Sequence, residues 1–238
     1  MKRGKKALIA VFLFLFILLI SGYGLLQLSK SRTFQLFGEI IPRIDTERKV
    51  VALTFDDGPT KYTKEVLKEL KEKNVKATFF VMGEDLKKNL HYGKEIVSSG
   101  HELGNHTYTH QRMWFKSPSF ISEEIESTNQ LIRASGYKGP IYFRPPYGKK
   151  LITLPWYLDQ HHIKTITWDI EPDTYGNSVE FLTKYTLDNA QPGSIILLHP
   201  FCEPCSGQRE AIGKIIEGLE NKGYKFVTIS ELLTYEKQ

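Results

Sequence analysis

The sequence predicts an α/β domain behind a single N-terminal transmembrane helix. The domain is predicted because short apolar runs alternate with longer stretches of helical periodicity, and strands joined by helices form parallel sheets. About seven such units in roughly 190 residues favour a small or incomplete barrel over an open sheet. The transmembrane helix is predicted because a long apolar run lies close to the N-terminus.

The N-terminal run is apolar at every position from Ala7 to Ile20 and stays largely apolar to Leu28. About 20 such residues, with a rise of about 1.5 Å each, cross the roughly 30 Å hydrocarbon layer of a bilayer. The basic residues before the run place the N-terminus in the cytoplasm and the rest of the chain outside the cell. A cleaved signal peptide is the alternative, although no small-residue cleavage site follows. We expect an uncleaved anchor at 1–28, a linker at 29–48 and an extracellular domain at 49–238.

The charge and cysteine content of the chain narrow its possible partners and sites. The net charge of +5 comes from the N-terminal part of the chain, because six of the 32 basic residues precede residue 33. The rest of the chain has 26 basic against 27 acidic residues and is nearly neutral. We therefore expect no nucleic-acid partner. Cys202 and Cys205 are too few for a structural zinc site, and a local disulfide and two free thiols both remain open.

The predicted elements follow from the period of the apolar residues and from the glycines and prolines between them. The predicted strands are 50–55, 77–81, 101–104, 141–143, 163–168, 194–198 and 226–229. The predicted helices are 60–73, 86–99, 121–134, 179–189 and 212–219. The second helix should end before Gly100, because glycine accepts the left-handed conformation that closes helices.

Ionisable residues cluster where five of the predicted strands end. The segments at these ends are Asp56-Asp57-Gly58-Pro59, 105–110, Arg144-Pro145-Pro146-Tyr147-Gly148, 168–173 and His199. The carboxyl ends of the strands form the face on which β/α barrels carry their active sites. The coincidence of five such segments predicts a catalytic site on this face.

Two of these segments predict a metal site. His106 and His110 are four residues apart, so one helical turn would place both imidazoles on one face, a spacing used for zinc. A carboxylate from Asp56 or Asp57 would complete the ligand set and leave room for water or substrate. Arg144 is the natural partner for the other carboxylate. The alternatives are two solvated histidines and a simple Asp-Asp-Gly-Pro turn.

Four motifs occur in the order found in the polysaccharide deacetylase family, the NodB homology domain of carbohydrate esterase family 4. They are Thr54-Phe55-Asp56-Asp57-Gly58-Pro59, His106-x-x-x-His110, Arg144-Pro145-Pro146-Tyr147-Gly148 and Leu197-Leu198-His199. The chain resembles this family over residues 49–233. The resemblance implies a distorted (β/α)₇ barrel and a divalent metal, usually zinc, with another divalent metal as an alternative.

The resemblance implies the metal ligands and the base. Asp57, His106 and His110 match the metal-binding aspartate and histidines of the family. Asp56 matches the catalytic base, and Arg144 matches the arginine that holds this base in place.

The resemblance also implies the general acid and the substrate contacts. His199 matches the general acid, and the backbone N–H of Tyr147 matches an oxyanion donor. Leu197 matches the lining of the acetyl pocket, and Trp168 is a further predicted contact with the substrate.

The motif that should supply the partner of His199 departs from the family pattern. The family usually has Asp-x-x-Asp-Trp, whereas this chain has Glu171-Pro172-Asp173-Thr174-Tyr175. A strict alignment puts Thr174 at the position of the second aspartate, and a shift by one residue puts Asp173 there. We predict Asp173.

The predicted function is metal-dependent removal of acetyl groups from an N-acetylated polysaccharide outside the cell. Peptidoglycan is the predicted substrate, at N-acetylglucosamine or N-acetylmuramic acid, because a domain tethered to the outer face of the membrane faces the wall. Another exported N-acetylglucosamine polymer or a chitooligosaccharide is the alternative. A non-catalytic sugar-binding barrel is an alternative of another class, but such a protein would be expected to lose a ligand, the base or the acid, and none is missing.

Overall fold

The computed structural model describes residues 2–237. Its strands are β1 Ile40–Ile41, β2 Val50–Asp56, β3 Thr78–Val81, β4 Glu102–Asn105, β5 Thr165–Ile166, β6 Ile195–Leu198 and β7 Lys225–Val227. Its α-helices are α1 Lys2–Lys30, α2 Thr63–Glu72, α3 Gly83–Lys88, α4 Leu90–Ser98, α5 Pro118–Ala134, α6 Thr153–Gln160, α7 Val179–Asn189, α8 Ser206–Asn221 and α9 Ile229–Leu232. Short 3₁₀ turns lie at Pro146–Gly148, Pro172–Thr174, Glu203–Cys205 and Leu233–Tyr235.

The central strand of the main sheet is β2. It pairs in parallel with β3, β6 and β7, and β4 continues the sheet beside β3. Every residue of β2 is buried, as expected for a parallel sheet that is covered on both faces. The apolar faces of α2 and α8 pack on one side of it, so the predicted α/β fold with parallel strands is confirmed.

Among the described residues, the strands are not joined into one continuous sheet, so the distorted barrel stays a prediction. Within residues 2–237 they form a five-stranded sheet and a separate two-stranded sheet of β1 and β5. The predicted strand 141–143 contributes only isolated parallel bridges, from Phe143 to Asn105 and to Thr165. Prolines stand on both sides of this segment, and proline has no N–H to donate to a strand ladder.

The predicted helix 86–99 is two helices. Asn89 separates α3 from α4, because its backbone angles (φ −129°, ψ 42°) are not helical. Its side-chain amide donates to the carbonyl oxygens of Pro59 (2.9 Å) and Asp85 (3.1 Å) and so holds the break against the rest of the domain. Gly100 follows α4 with a φ of 79°, the conformation expected there.

The segment 29–48, predicted as a linker, packs against the domain. Its strand β1 pairs in parallel with β5, and the side chains of Ile41 and Ile44 are buried in the core. A division of the chain at residue 49 stays a prediction.

The helix α1 is exposed along its apolar length. The most apolar 18-residue window within Gly4–Lys30 has a mean hydropathy of 2.7, and none of this window is buried. It is long and apolar enough to cross a membrane, as signal sequences also are. Only its C-terminal end touches the domain, where Ser29 is buried and accepts a hydrogen bond from the backbone N–H of Lys150 (2.9 Å).

Candidate metal centre and active site

The candidate site lies at the carboxyl ends of β2, β4 and β6. Asp56 is the last residue of β2, and His106 and His199 directly follow β4 and β6. Because parallel strands end at the same edge of their sheet, these side chains meet although they are far apart in the sequence.

Asp57, His106 and His110 bring three potential metal ligands together. One ligand atom of each lies within 4.8 Å of the others, and Asp57 Oδ1 is 3.8 Å from His106 Nε2 and 3.4 Å from His110 Nε2. This oxygen is buried and has no hydrogen-bond partner among residues 2–237. A buried carboxylate oxygen without a partner is costly, and a shared cation would satisfy it. The ligand set therefore fits a divalent metal ion.

His106 is held as a neutral imidazole that points one nitrogen at this position. Its Nδ1 atom lies 2.8 Å from the backbone oxygen of Arg144, which only accepts hydrogen bonds. The proton therefore resides on Nδ1, and the lone pair of Nε2 faces Asp57. Burial lowers the pKa of His106 to about 3, so the ring is neutral at neutral pH. Metal-binding histidines commonly have such a partner on the second nitrogen.

The loop 106–110 that carries both histidines is not helical, so the predicted helical turn is wrong. Thr107 and His110 have positive φ angles of 67° and 58°, which close a tight turn. The Thr107 hydroxyl oxygen accepts a hydrogen bond from the backbone N–H of His110 (3.0 Å). This turn, and not a helical turn, brings the rings of His106 and His110 together, with their centroids 5.0 Å apart.

Glu124, on α5, holds this loop and was not identified from the sequence. Its carboxylate accepts hydrogen bonds from the backbone N–H groups of Tyr108 (2.9 Å) and Thr109 (2.8 Å) and from the Thr109 hydroxyl (2.7 Å). The side chain is buried between Ile121 and Ile125 on the inner face of the helix. The sequence does contain a signal for this role: Glu124 is a single acidic residue on the apolar face of the predicted helix 121–134, and a buried carboxylate needs hydrogen-bond partners.

Asp56 forms a buried ion pair with Arg144. Their side chains are almost inaccessible, and Asp56 Oδ1 is 2.6 Å from an Arg144 nitrogen. Burial raises the pKa of Asp56, and the positive charge of Arg144 opposes that rise. The guanidinium also donates to the Thr54 hydroxyl (2.9 Å) and to the carbonyl oxygens of Ile166 (3.2 Å) and Thr167 (3.0 Å), which fix its orientation.

His199 has Asp173 as its partner. The His199 Nδ1 atom is 2.6 Å from Asp173 Oδ2, so the structure puts Asp173, and not Thr174, in contact with the ring. Burial acts to lower the pKa of His199, but the hydrogen bond with Asp173 and the nearby carboxylates outweigh it and raise the pKa to about 9. The backbone N–H of His199 donates to Gln208 Oε1 (2.6 Å), which anchors the end of β6.

The three predicted substrate contacts lie in different surroundings. Tyr147 is exposed in a 3₁₀ turn with a φ of 57°, and its ring centroid is 4.7 Å from that of His110. Leu197 and Trp168 are buried in the same part of the core. The Trp168 indole N–H donates to Glu171 (2.9 Å). The contact of these residues with a substrate stays a prediction.

A cleft of about 260 Å³ opens beside Asp57, His110 and His199. A loop closed by a disulfide between Cys202 and Cys205 forms another part of its wall. The structure therefore pairs the two cysteines whose state the sequence left open. The cleft gives a substrate access to the metal position and to His199 from one side.

Hydrolysis assisted by a metal ion is the chemistry that suits these residues, because a cation position, a carboxylate and a second histidine adjoin one cleft. Residues 43–166 match the family model described as polysaccharide deacetylase, and the chain belongs to this family. It is accordingly a hydrolase that acts on carbon–nitrogen bonds other than peptide bonds.

Two relatives with peptidoglycan in their names resemble this chain. A peptidoglycan-N-acetylglucosamine deacetylase of Bacillus cereus is 38% identical over 193 residues, which cover 79% of this chain and 70% of the relative. The peptidoglycan-N-acetylmuramic acid deacetylase PdaC of Bacillus subtilis is 31% identical over 198 residues, which cover 82% of this chain and 41% of PdaC.

Two solved structures resemble the fold. A crystal structure of a peptidoglycan N-acetylglucosamine deacetylase has a TM-score of 0.77 and 33% identity, and the match covers 82% of this chain and 94% of that one. A pseudoenzyme of carbohydrate esterase family 4 from Bacillus anthracis has a TM-score of 0.75 and 31% identity, and the match covers 87% of this chain and 71% of the pseudoenzyme.

Proposed function

We propose that this protein is a metal-dependent N-deacetylase of peptidoglycan that acts on its N-acetylglucosamine or N-acetylmuramic acid residues. The observation that carries the proposal is the buried oxygen of Asp57, which has no partner in the part of the chain that the structure describes and which faces His106 and His110. The Asp56–Arg144 pair lies beside the same position. The names of the relatives support peptidoglycan as the polymer.

The metal ligands in this proposal are Asp57, His106 and His110. Two imidazoles and one carboxylate form a set typical of catalytic zinc, which makes zinc the favoured ion. When bound, such a cation supplies Lewis-acid chemistry: it polarises a carbonyl and acidifies water.

Asp56 is the proposed general base. As water attacks the carbonyl carbon of the acetamide, its proton passes to the Asp56 carboxylate, and the carbonyl becomes an oxyanion. Burial raises the pKa of Asp56, which makes its carboxylate a stronger base, and the hydrogen-bonded Arg144 favours the ionised form and holds it in place before the transfer. The backbone N–H of Tyr147 is the proposed donor to the oxyanion.

His199 is the proposed general acid. Its pKa of about 9 keeps it protonated at neutral pH, and Asp173 holds its other nitrogen. As the C–N bond breaks, His199 gives its proton to the departing nitrogen, which would otherwise leave as a strongly basic anion. The products are acetate and a free amino sugar in the glycan, with Leu197 proposed beside the acetyl methyl group.

We propose that α1 is an uncleaved signal anchor that places the domain on the outer face of the membrane. The apolar length of α1 and the basic residues before it support this orientation. We also propose that the two sheets belong to a distorted (β/α)₇ barrel. The isolated parallel bridges of Phe143 with Asn105 and Thr165, and of Ile170 with Ile196, support it because they link the two sheets.

The experiment is an assay of acetate release from peptidoglycan, chitooligosaccharides and other N-acetylated glucosamine polymers, with and without a chelator. We expect release from peptidoglycan that the chelator abolishes and zinc restores. Asp56→Asn and His199→Ala should each lower kcat by about 10²–10⁴-fold. Full activity in both variants would contradict the role assignments while leaving the family intact.

A non-catalytic sugar-binding barrel is the second candidate, and the resemblance to a pseudoenzyme is the observation that favours it. Zinc-loaded protein that binds the glycans but releases no acetate from any of them would establish this alternative and exclude the deacetylase.

A further inference from the structure

The surface around the C-terminal end of α1 carries several exposed apolar side chains. Four of them, Phe34, Phe37, Ile152 and Trp156, are here called the root patch, and each is more than a third exposed. Apolar side chains that are exposed together mark interaction sites more often than isolated ones do.

Backbone contacts bring the two halves of the root patch to the same place. The Lys150 N–H donates to the carbonyl oxygen of Ser29 at the end of α1, which puts Ile152 two residues from the helix. Trp156 follows in α6, and Gly38 lies against Asp159 one turn further along α6. The segment after α1 therefore lies against the end of α6, and Ile152, directly before α6, lies beside the end of α1.

The end of α1 is fixed to the domain by polar contacts. The backbone oxygen of Arg32 accepts a hydrogen bond from the Thr167 hydroxyl (2.7 Å), and the backbone oxygen of Ser31 accepts one from the buried Lys150 ammonium. Burial begins at Ser29, directly after the apolar run ends at Leu28. A bilayer that is crossed by α1 must therefore have its surface at the level of the root patch.

Lys30 and Lys149 lie beside the patch, next to the hydrogen bond between Lys150 and Ser29, and Arg112 lies close to Lys149. Burial lowers the pKa of Lys149, and the positive charges of Lys30 and Arg112 lower it further. In the described range 2–237, none of the three forms an ion pair with a carboxylate. Unpaired cations beside apolar side chains complement an anionic lipid surface.

We propose that the root patch, with Lys30 and Lys149, docks on the outer surface of a bilayer that contains anionic phospholipids. The domain then lies on the membrane instead of standing away from it. The inference rests on the proposed anchor role of α1, with which the docking surface is continuous. Lys149 follows Tyr147 by two residues, and the ring centroid of Tyr147 is 4.7 Å from that of His110, so the candidate site lies close to the docked surface.

The test uses the full chain in nanodiscs, with a spin label at Ile152→Cys and a matched label at Lys94→Cys, which is exposed on α4. The collision rates of each label with oxygen and with a water-soluble nickel chelate report its depth. We expect the oxygen-to-nickel ratio at position 152 to exceed that at 94 severalfold in nanodiscs containing phosphatidylglycerol. Equal, water-like ratios at the two positions would overturn the docking.

Charge variants test the lipid preference. Lys30→Glu with Lys149→Glu should lower the ratio at position 152, whereas the control pair Lys94→Glu with Lys138→Glu, also exposed, should leave it unchanged. A label shielded only after an anionic wall polymer is added would overturn the lipid as the partner. A chain that does not enter nanodiscs would contradict the anchor itself, whereas a chain that enters with its label in water would contradict the docking alone; neither outcome bears on the acetate-release assay.

Discussion

At the scale of single residues, the site depends on how each buried charge is compensated. Asp56 and Arg144 are both buried, and each is the main charged partner of the other. Removing one member of a buried ion pair leaves an uncompensated charge, which costs more than the pair itself contributes. Breaking the pair should therefore lower the stability of the fold as well as displace the proposed base.

Arg144→Met should lower the free energy of unfolding by about 3–5 kcal/mol, because Asp56 loses its counter-charge in the core. The double variant Asp56→Asn with Arg144→Met should recover part of this loss but none of the activity. Urea denaturation followed by circular dichroism measures both. Equal stability of Arg144→Met and the wild type would show that Asp56 is compensated in another way.

His101 should make the stability of the protein depend on pH. Burial, and to a smaller extent the charge of Lys76, lower its pKa to about 4, and its Nδ1 accepts a hydrogen bond from the Ala77 N–H (3.2 Å). Between pH 6.5 and about 4 the unfolded chain therefore binds more protons at this histidine, so stability falls as the pH falls. At about 1.4 kcal/mol per pKa unit, the loss is about 3 kcal/mol.

The measurement compares urea denaturation of the wild type, His101→Gln and the control His91→Gln at several pH values. The stability of His101→Gln should depend less on pH, because it lacks the contribution of His101. The control His91→Gln, at an exposed position, should show the same pH dependence as the wild type. An unchanged slope in His101→Gln would assign the pH dependence to other groups.

At the scale of elements, the candidate metal site depends on a loop that α5 holds from outside. Glu124→Gln should weaken zinc binding by about 10–100-fold, because the amide cannot accept all the hydrogen bonds that keep the histidine loop in place. Competition with a chromophoric chelator measures the affinity, and Glu123→Gln, an exposed neighbour, is the control. The same affinity in both variants would mean that the loop holds its shape without Glu124.

Elements with a strong local signal could be predicted, and those built by tertiary contacts could not. The helix 179–189 has the predicted bounds, and it begins at an N-cap, where the Ser178 hydroxyl accepts a hydrogen bond from the backbone N–H of Phe181. The strand β1, of two residues, has no such signal and forms only because β5 lies beside it. The turn 106–110 likewise depends on positive φ angles at Thr107 and His110, and a β-branched threonine rarely adopts such an angle, so the sequence does not predict this turn.

The same limit applies to the candidate site. The strand ends bring Asp56, His106 and His199 to one edge of the sheet, and this convergence could be anticipated from the order of the strands alone. The partner of His199 could not be anticipated in this way, because alignments that differ by one residue place either Asp173 or Thr174 at that position. Only the three-dimensional contact of Asp173 with His199 distinguishes the two.

At the scale of the whole molecule, the segment after α1 is part of the folded domain. A chain that begins at residue 49 should be less stable than one that begins at residue 34 by about 3–6 kcal/mol, because it lacks the buried side chains of Ile41 and Ile44. Both chains lack α1, so the comparison isolates this segment, and urea denaturation measures it. Equal stability would support a domain boundary at residue 49.

Because the end of α1 is hydrogen-bonded to the domain, the distance from α1 at which the candidate site can act is limited. A folded unit of about 200 residues is roughly 40 Å across, and a rigid stem adds nothing to that distance. With α1 as the proposed anchor, the enzyme would work only within a thin layer above its own membrane. In a wall that grows by addition at the membrane side, each glycan strand would lie within this layer only shortly after its synthesis. Newly made glycan would therefore lose its acetyl groups, and older glycan further from the membrane would not be reached.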